Sequence, residues 1–233
     1  MIRKLPRWIW AGAWLLAFVA GMINSVGLLG FKHQAVTHLT GTTSLLANSL
    51  AEWDLREALH LLSIIGSFLL GAIASGFIIR QSTLQLGRRY GVALFLESAL
   101  LGVAVWFLSR HSPTGVCAAS AACGLQNAMV STYSGAVIRT THVSGIFTDI
   151  GILLGHLLRG LEVDFLRIYL YLVIVSGFIG GGVAGAFAFH VLSYQSLWIP
   201  AAITATTALS YEIHHIHRRR RARRLSQTAE TPR

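Results

Sequence analysis

Thr37-His38-Leu39-Thr40-Gly41 and its echo Thr141-His142-Val143-Ser144-Gly145 are the stretches from which the fold can be read. The two histidines stand 104 positions apart (142 − 38), and each pentapeptide lies where a long apolar segment has ended and a shorter one begins. Two further landmarks recur in the same order. Gly21-Met22-Ile23-Asn24 matches Gly124-Leu125-Gln126-Asn127 at an offset of 103, and Gly66-Ser67-Phe68-Leu69-Leu70-Gly71 resembles Ser176-Gly177-Phe178-Ile179-Gly180-Gly181 at an offset of 110. Three matches in one order argue for internal duplication. Each unit reads as a long span, a polar break, a short helix, a small-residue span and a further span.

The predicted spans are 8–30, 59–79 and 90–108 in the first unit and 115–138, 168–191 and 192–211 in the second. Pro200 is expected to kink the last one. Gly66, Ser67, Gly71, Ala74, Ser75 and Gly76 suit close helix approach, as do the glycines at 177, 180, 181, 182 and 185. The short helices are predicted over 40–51, with Thr40 as N-cap, and over 144–158. At 1.5 Å per residue they reach about 18 Å and about 22 Å, short of the roughly 30 Å hydrocarbon core.

Charge placement decides whether the short helices cross. If they do, an N-terminus-inside start puts the acidic loop 52–57 inside and Arg80, Arg88 and Arg89 outside. That violates the positive-inside rule. If they are re-entrant, the acidic loop falls outside, and the three arginines fall inside with Arg139 and the arginine-rich tail. Apart from the acidic loop, only Lys32 and Arg110 then remain outside among the interior loop charges. Each unit thus contributes three crossings, an odd number, so the second is inverted relative to the first. Seven extended residues cover about 23 Å, enough for 31–37 to return to the midplane.

The expected fold is therefore an all-α polytopic membrane protein of six transmembrane helices plus two re-entrant half-helices in two inverted repeats. Residues 1–112 form the first repeat, 113–212 the second, and 213–233 a basic cytoplasmic tail expected to be disordered.

Composition agrees. Of 233 residues 54% are apolar and 12% charged, about half the charge of a soluble domain. Arg218 to Arg221, Arg223 and Arg224 supply six positive charges of the net +10. Directly after a span, such a run reads as an anchor on anionic lipid headgroups rather than a nucleic-acid site. The apolar run at 8–30 is too long for a signal-peptide core and reads as an uncleaved first span. Cys117 and Cys123 have no zinc-site spacing and read as packing residues. Zinc-protease, nucleophile-elbow, P-loop and dinucleotide motifs are absent, so no enzyme, cofactor or metal is expected. His214, His215 and His217 read as interfacial residues beside the arginines.

Inverted repeats with half-length helices recur in transporters, with the substrate near the midplane at the repeat interface. Both half-helix N-termini would point there, offering free N–H groups and positive dipole ends to an anion or carbonyl oxygen. The candidate substrate-binding residues are Asn24, Thr37, His38, Thr40, Gly41, Asn127, Thr141, His142, Ser144 and Gly145. Against this stands simple capping of the helices, with the asparagines as interhelical glue. Asp149 has Leu45 as its first-unit counterpart (149 − 104), so one carboxylate breaks the symmetry. Charges inside a bilayer usually pair or face a cavity. Asp149 and Glu97 are candidates for coupling to a proton or cation, with Arg139 as ion-pair partner of Asp149; a purely structural pair is the alternative.

Gly21-Met22-Ile23-Asn24, Val36 to Gly41, Gly124-Leu125-Gln126-Asn127, Arg139 to Gly145, and Thr148-Asp149 together resemble the YoaK family of bacterial multi-pass membrane proteins, a domain of unknown function. The resemblance covers nearly the whole chain apart from the basic tail. It implies an inner-membrane location and a permease-like role, and adds no mechanism.

The expectation is a permease or secondary transporter of a small polar or anionic solute in the bacterial inner membrane, with both termini cytoplasmic and proton coupling through Asp149 or Glu97. An aquaporin-like passive channel is the alternative, although here each half-helix follows the first span of its repeat, unlike the aquaporin order. A non-transport membrane enzyme or sensor is the third class. A homo-oligomer assembled through the glycine-rich faces is compatible with each.

Overall fold

The computed structural model describes residues 7–30, 36–79, 88–134 and 139–229, the last of these from 214 onward by backbone alone. Lys32, His33 and Arg80, on which part of the charge argument and of the 31–37 linker rests, lie outside the described residues. Eight α-helices follow in order: α1 Arg7–Leu29, α2 Leu39–Ala51, α3 Leu55–Ile78, α4 Arg88–Leu108, α5 Thr114–Ser134, α6 Val143–Leu158, α7 Phe165–Leu192 and α8 Trp198–Ala229. A 3₁₀ turn, Ser193–Leu197, joins the last two, and no strand occurs among the described residues.

Caps explain where several helices begin. Asp54 accepts a hydrogen bond from the Glu57 N–H (3.0 Å) and starts α3 at Leu55, four residues earlier than hydropathy suggests. Asp164 accepts from the Leu166 N–H (3.1 Å) and starts α7 at Phe165. These two caps are themselves 110 positions apart. Three expectations are corrected at helix ends. The N-cap of α2 is His38, so Thr40 lies inside the first turn. Pro200 is the third residue of α8, where its missing N–H has no intrahelical partner to lose, so it helps start the helix rather than kink it. The tail expected to be disordered continues α8 to Ala229; arginine, alanine, leucine and glutamine are all good helix formers.

Residues 8–29, 55–78, 89–108 and 165–213 are long and apolar enough to cross a membrane, the last stretch holding both α7 and the start of α8. The chain is a helical membrane protein. Large apolar side chains line its outer surface: Phe77 and Phe187 are 79% and 72% exposed, with Leu69, Leu70, Ile73, Ile179 and Val183 beside them. A surface of that kind suits lipid and would be a liability in water. α5 has the length of a span (21 residues) but carries Ser120, Gln126 and Asn127. It can be polar because it packs against α3, α4 and α1 and has little lipid-facing surface.

The helices pair in a repeating way. α1 runs parallel to α7, with Gly177 against Trp14, Gly181 against Phe18 and Gly185 against Met22. α3 runs parallel to α5, where the Ser120 hydroxyl donates to the Ile64 carbonyl at 2.9 Å. At the two crossings the backbones touch. Gly21 abuts the Phe178 carbonyl as Gly124 abuts that of Phe68, and Gly181 abuts the Phe18 carbonyl as Gly71 abuts that of Ala121. Phe68 and Phe178 are 110 apart, as are Gly71 and Gly181; Gly21 and Gly124, like Phe18 and Ala121, are 103 apart. The offsets read from sequence thus reappear as equivalent contacts.

α4 runs antiparallel to α8, tied by the Ser98 hydroxyl to the Ala201 carbonyl (2.8 Å), with Gly102 against Trp198 at one end and Gly91 against Ala208 at the other. The start of α1 (Trp8, Ile9) meets the start of α4 (Tyr90, Leu94), the end of α5 (Met129, Val130) and the middle of α8 (Thr207, Tyr211). Hence α1, α4 and α7 run one way and α3, α5 and α8 the other. α1 and α3 are opposed although α2 stands between them in the chain.

Glycine-to-alanine exchange tests these crossings. Gly71→Ala and Gly181→Ala put a methyl into a backbone carbonyl and are each expected to destabilise by about 1–3 kcal/mol. Gly12→Ala and Gly66→Ala, where nothing lies within 4 Å of the added carbon, are expected to be neutral or better. Thermal unfolding in detergent distinguishes the two pairs.

Candidate functional site

Both pentapeptides are held by the same device. Asn24 and Asn127 each follow a close-packed glycine, Gly21 or Gly124, by three residues, so each side chain lies one turn beyond a helix crossing. The Asn24 side-chain oxygen accepts from the Thr37 hydroxyl at 2.7 Å and from its N–H at 3.4 Å. The Asn127 oxygen accepts from the Thr141 hydroxyl at 3.1 Å. Thr37 and Thr141 are buried, each 6% exposed. The asparagines therefore anchor the breaks in the chain, and the half-helix starts hang from them.

His38 and His142 occupy the N-cap positions of α2 and α6. The His38 Nδ1 accepts the Gly41 N–H at 3.3 Å, whereas His142 makes no side-chain cap bond. The first turn of α6, with Ser144 and Gly145 exposed, thus receives no side-chain cap from its own N-cap residue. His38 and His142 are exposed and lie within electrostatic reach of one another, as Arg139 does of His142. Thr40 and Gly41 lie on the first turn of α2, as Ser144 and Gly145 do on that of α6. A cavity of ≈60 Å³ lies elsewhere, between α1, α4, α5 and α8, and no pentapeptide residue lines it.

The predicted partner of Asp149 is corrected. Arg139 is not bonded to it; the Asp149 carboxylate accepts the Tyr171 hydroxyl at 2.6 Å and faces the Arg167 guanidinium at 3.6 Å. Arg167 in turn donates through Nε to the Tyr171 oxygen at 2.9 Å and lies over its ring. This trio ties α6 to the first two turns of α7. Arg167 and Tyr171 went unnoticed in the sequence, although their spacing of four puts both on one face of α7. Both ions of the pair are more than 40% exposed, so solvent screens it and it orients α6 more than it stabilises the fold. Counting back by 110 gives Glu57 and Leu61, with Leu45 opposite, so the first unit has no such trio.

Glu97 is fully buried. Gln126 Nε2 donates to its Oε1 at 3.0 Å, and its Oε2 is buried without a hydrogen-bond partner. The Gln126 carbonyl oxygen accepts from the Thr140 hydroxyl at 3.5 Å. A polar chain thus runs from the middle of α4 to the residue preceding the second pentapeptide. Glu97 and Asp149, grouped as coupling candidates by sequence, belong to separate clusters. Among the described residues no three His, Cys, Asp or Glu side chains converge as a metal site would need.

What the fold defines is a helical membrane protein. The chain belongs to the family described as Protein of unknown function (DUF1275), whose model matches residues 12–210. That range holds both pentapeptides and stops short of the basic tail. No curated protein and no solved structure matches the chain.

Asn24→Ala and Asn127→Ala remove the two anchors. Amide exchange over 37–41 and 141–145 is expected to speed up roughly tenfold per lost hydrogen bond, about 1 kcal/mol or slightly more, with the flanking helices unchanged. Unaltered exchange in both variants would show that the asparagines do not hold the breaks.

Proposed function

We propose that the protein is a permease for a small polar or anionic solute, bound between the N-termini of α2 and α6. One observation carries the reading: two equivalent helix starts, each hung on an asparagine, put the histidines at their N-cap positions within electrostatic reach of each other. Helix N-termini present N–H groups and positive dipole ends, so a solute bearing a carboxylate, phosphate or carbonyl oxygen fits there. The imidazoles add donors or acceptors, and the Gly41 and Gly145 positions keep side-chain bulk away from the solute.

In the proposed topology the chain makes six crossings with α1, α3, α4, α5, α7 and α8, and α2 and α6 are re-entrant half-helices of two inverted repeats. Opposed directions of α1 and α3, and of α1 and α5, favour it. If α2 made a full crossing, α1 and α3 would be parallel. Lengths of 13 and 16 residues for α2 and α6, about 20 Å and 24 Å, also fall short of a span. The positive-inside rule then puts both termini on the cytoplasmic side of a bacterial inner membrane, with the arginines of 218–224 toward anionic headgroups.

The test begins with a thermal-shift screen of purified protein against inorganic phosphate, sulfate, carboxylates and amino acids, followed by uptake of any binder into proteoliposomes. His38→Ala or His142→Ala is expected to weaken binding about tenfold or more. The double variant is expected to insert normally and lose uptake. Undiminished uptake by a well-folded double variant would sink the proposal.

A further inference from the structure

We infer that Glu97 is a proton-binding switch that acts through Gln126 and Thr140 on the start of α6. As a statement of what the proton serves, it rests on the permease reading. Its geometry stands apart from that reading.

Glu97 is the tenth residue of the 21 in α4 and has no exposed surface. Its two oxygens are unequal: Oε1 receives the Gln126 amide, and Oε2 has no hydrogen-bond partner among the described residues. The groups that bear on it come from α5: Gln126 by hydrogen bond and the buried Cys123 thiol within electrostatic reach. α8, on the other side, is met by the neighbouring Ser98, which bonds the Ala201 carbonyl. Among the described residues no lysine, arginine or histidine faces the carboxyl. A buried carboxyl with one amide donor and no counter-charge is suited to gain and lose a proton.

The two protonation states ask different things of Gln126. A carboxylate only accepts, and the amide NH₂ supplies a donor, as observed. A neutral carboxyl must also place its own O–H. The adjacent acceptor along the chain is the Gln126 amide oxygen, reached when the amide turns over. That turn takes the oxygen away from the Thr140 hydroxyl, which now bonds it at 3.5 Å. Thr140 is fully buried and immediately precedes Thr141, the residue hung on Asn127, and His142, the cap of α6. Taking up one proton from water therefore changes how the second helix start is held. Nothing else is consumed: the carboxylate and a proton become the carboxyl.

The relay is confined to one half of the molecule. At the offsets of the repeat, Gln126 corresponds to Ile23 and Thr140 to Val36, and both are buried apolar residues. Asp149 plays a different part, since it is half-exposed and already bonded to Tyr171 and Arg167. The inference is a proton-responsive α6 facing a fixed α2.

The test uses full-length protein in proteoliposomes, with Ser144→Cys as reporter and Cys117→Ala to remove the accessible native thiol; Cys123 is buried. The initial rate of maleimide labelling is followed between about pH 5 and about pH 9, with and without Glu97→Gln. The reporter thiol ionises in both, so the ratio of the two rates isolates Glu97. That ratio is expected to change roughly threefold or more through a single-proton transition. The protonated-carboxyl infrared band should titrate with it and be missing in Glu97→Gln. Gln126→Leu and Thr140→Val should keep a titrating band but flatten the ratio. A ratio flat in pH, a band that does not titrate, or a transition surviving in both relay variants overturns the inference. Failure of solute uptake would sink the permease reading and leave this result untouched.

Discussion

In hydrocarbon a backbone N–H or C=O must be paired within the protein or face water, so a chain can break its helix at depth only where something else satisfies it. The two pentapeptides of this chain, ahead of α2 and α6, are held in the same way. An asparagine from the preceding long helix accepts the threonine of the pentapeptide, and a histidine occupies the cap position. The placement of the short helix starts, with the two histidines within electrostatic reach of each other, depends on these anchors.

The anchors work because the helices carrying them are held in register by contact between backbones. Gly21 and Gly124 lie against phenylalanine carbonyls of the partner helix, one turn before each asparagine. Lipid tails offer little hydrophobic drive for helices to associate, so close approach through glycine and serine supplies the packing. Each first helix pairs with the small-residue helix of the other unit, α1 with α7 and α5 with α3. Neither unit could form these contacts alone, so the site and the fold arise together.

The two halves are alike in framework and unlike in chemistry. His38 caps its helix and His142 does not. The Asp149–Tyr171–Arg167 trio and the Glu97–Gln126–Thr140 chain both reach α6, and the matching positions around α2 are mostly apolar. The proposed duplication would supply two equivalent helix starts, which substitution in one half makes unequal. In the proposed permease this inequality would let one side of the site respond to conditions while the other stays fixed.

Much of this was legible in the sequence because its signals are local. A charge-poor run of twenty residues specifies a span, and a pentapeptide repeated at a constant offset specifies equivalent positions. Asn24, Asn127 and both histidines could be named on that basis alone. What the linear order could not convey was who meets whom. Arg139 is ten residues from Asp149, whereas Arg167 is eighteen away on another helix, yet the turn between α6 and α7 brings Arg167 back to the carboxylate. Gln126 reaches Glu97 across a helix pair, and Thr140 joins it only because Asn127 fixes the adjoining residue. The sequence by itself determined the helical membrane character, the repeat and the two half-length helices, since these follow from hydropathy, length and spacing. Tertiary structure alone decided the directions of the helices and the partners of the buried polar groups, because hydrogen bonds and ion pairs depend on distances that packing sets.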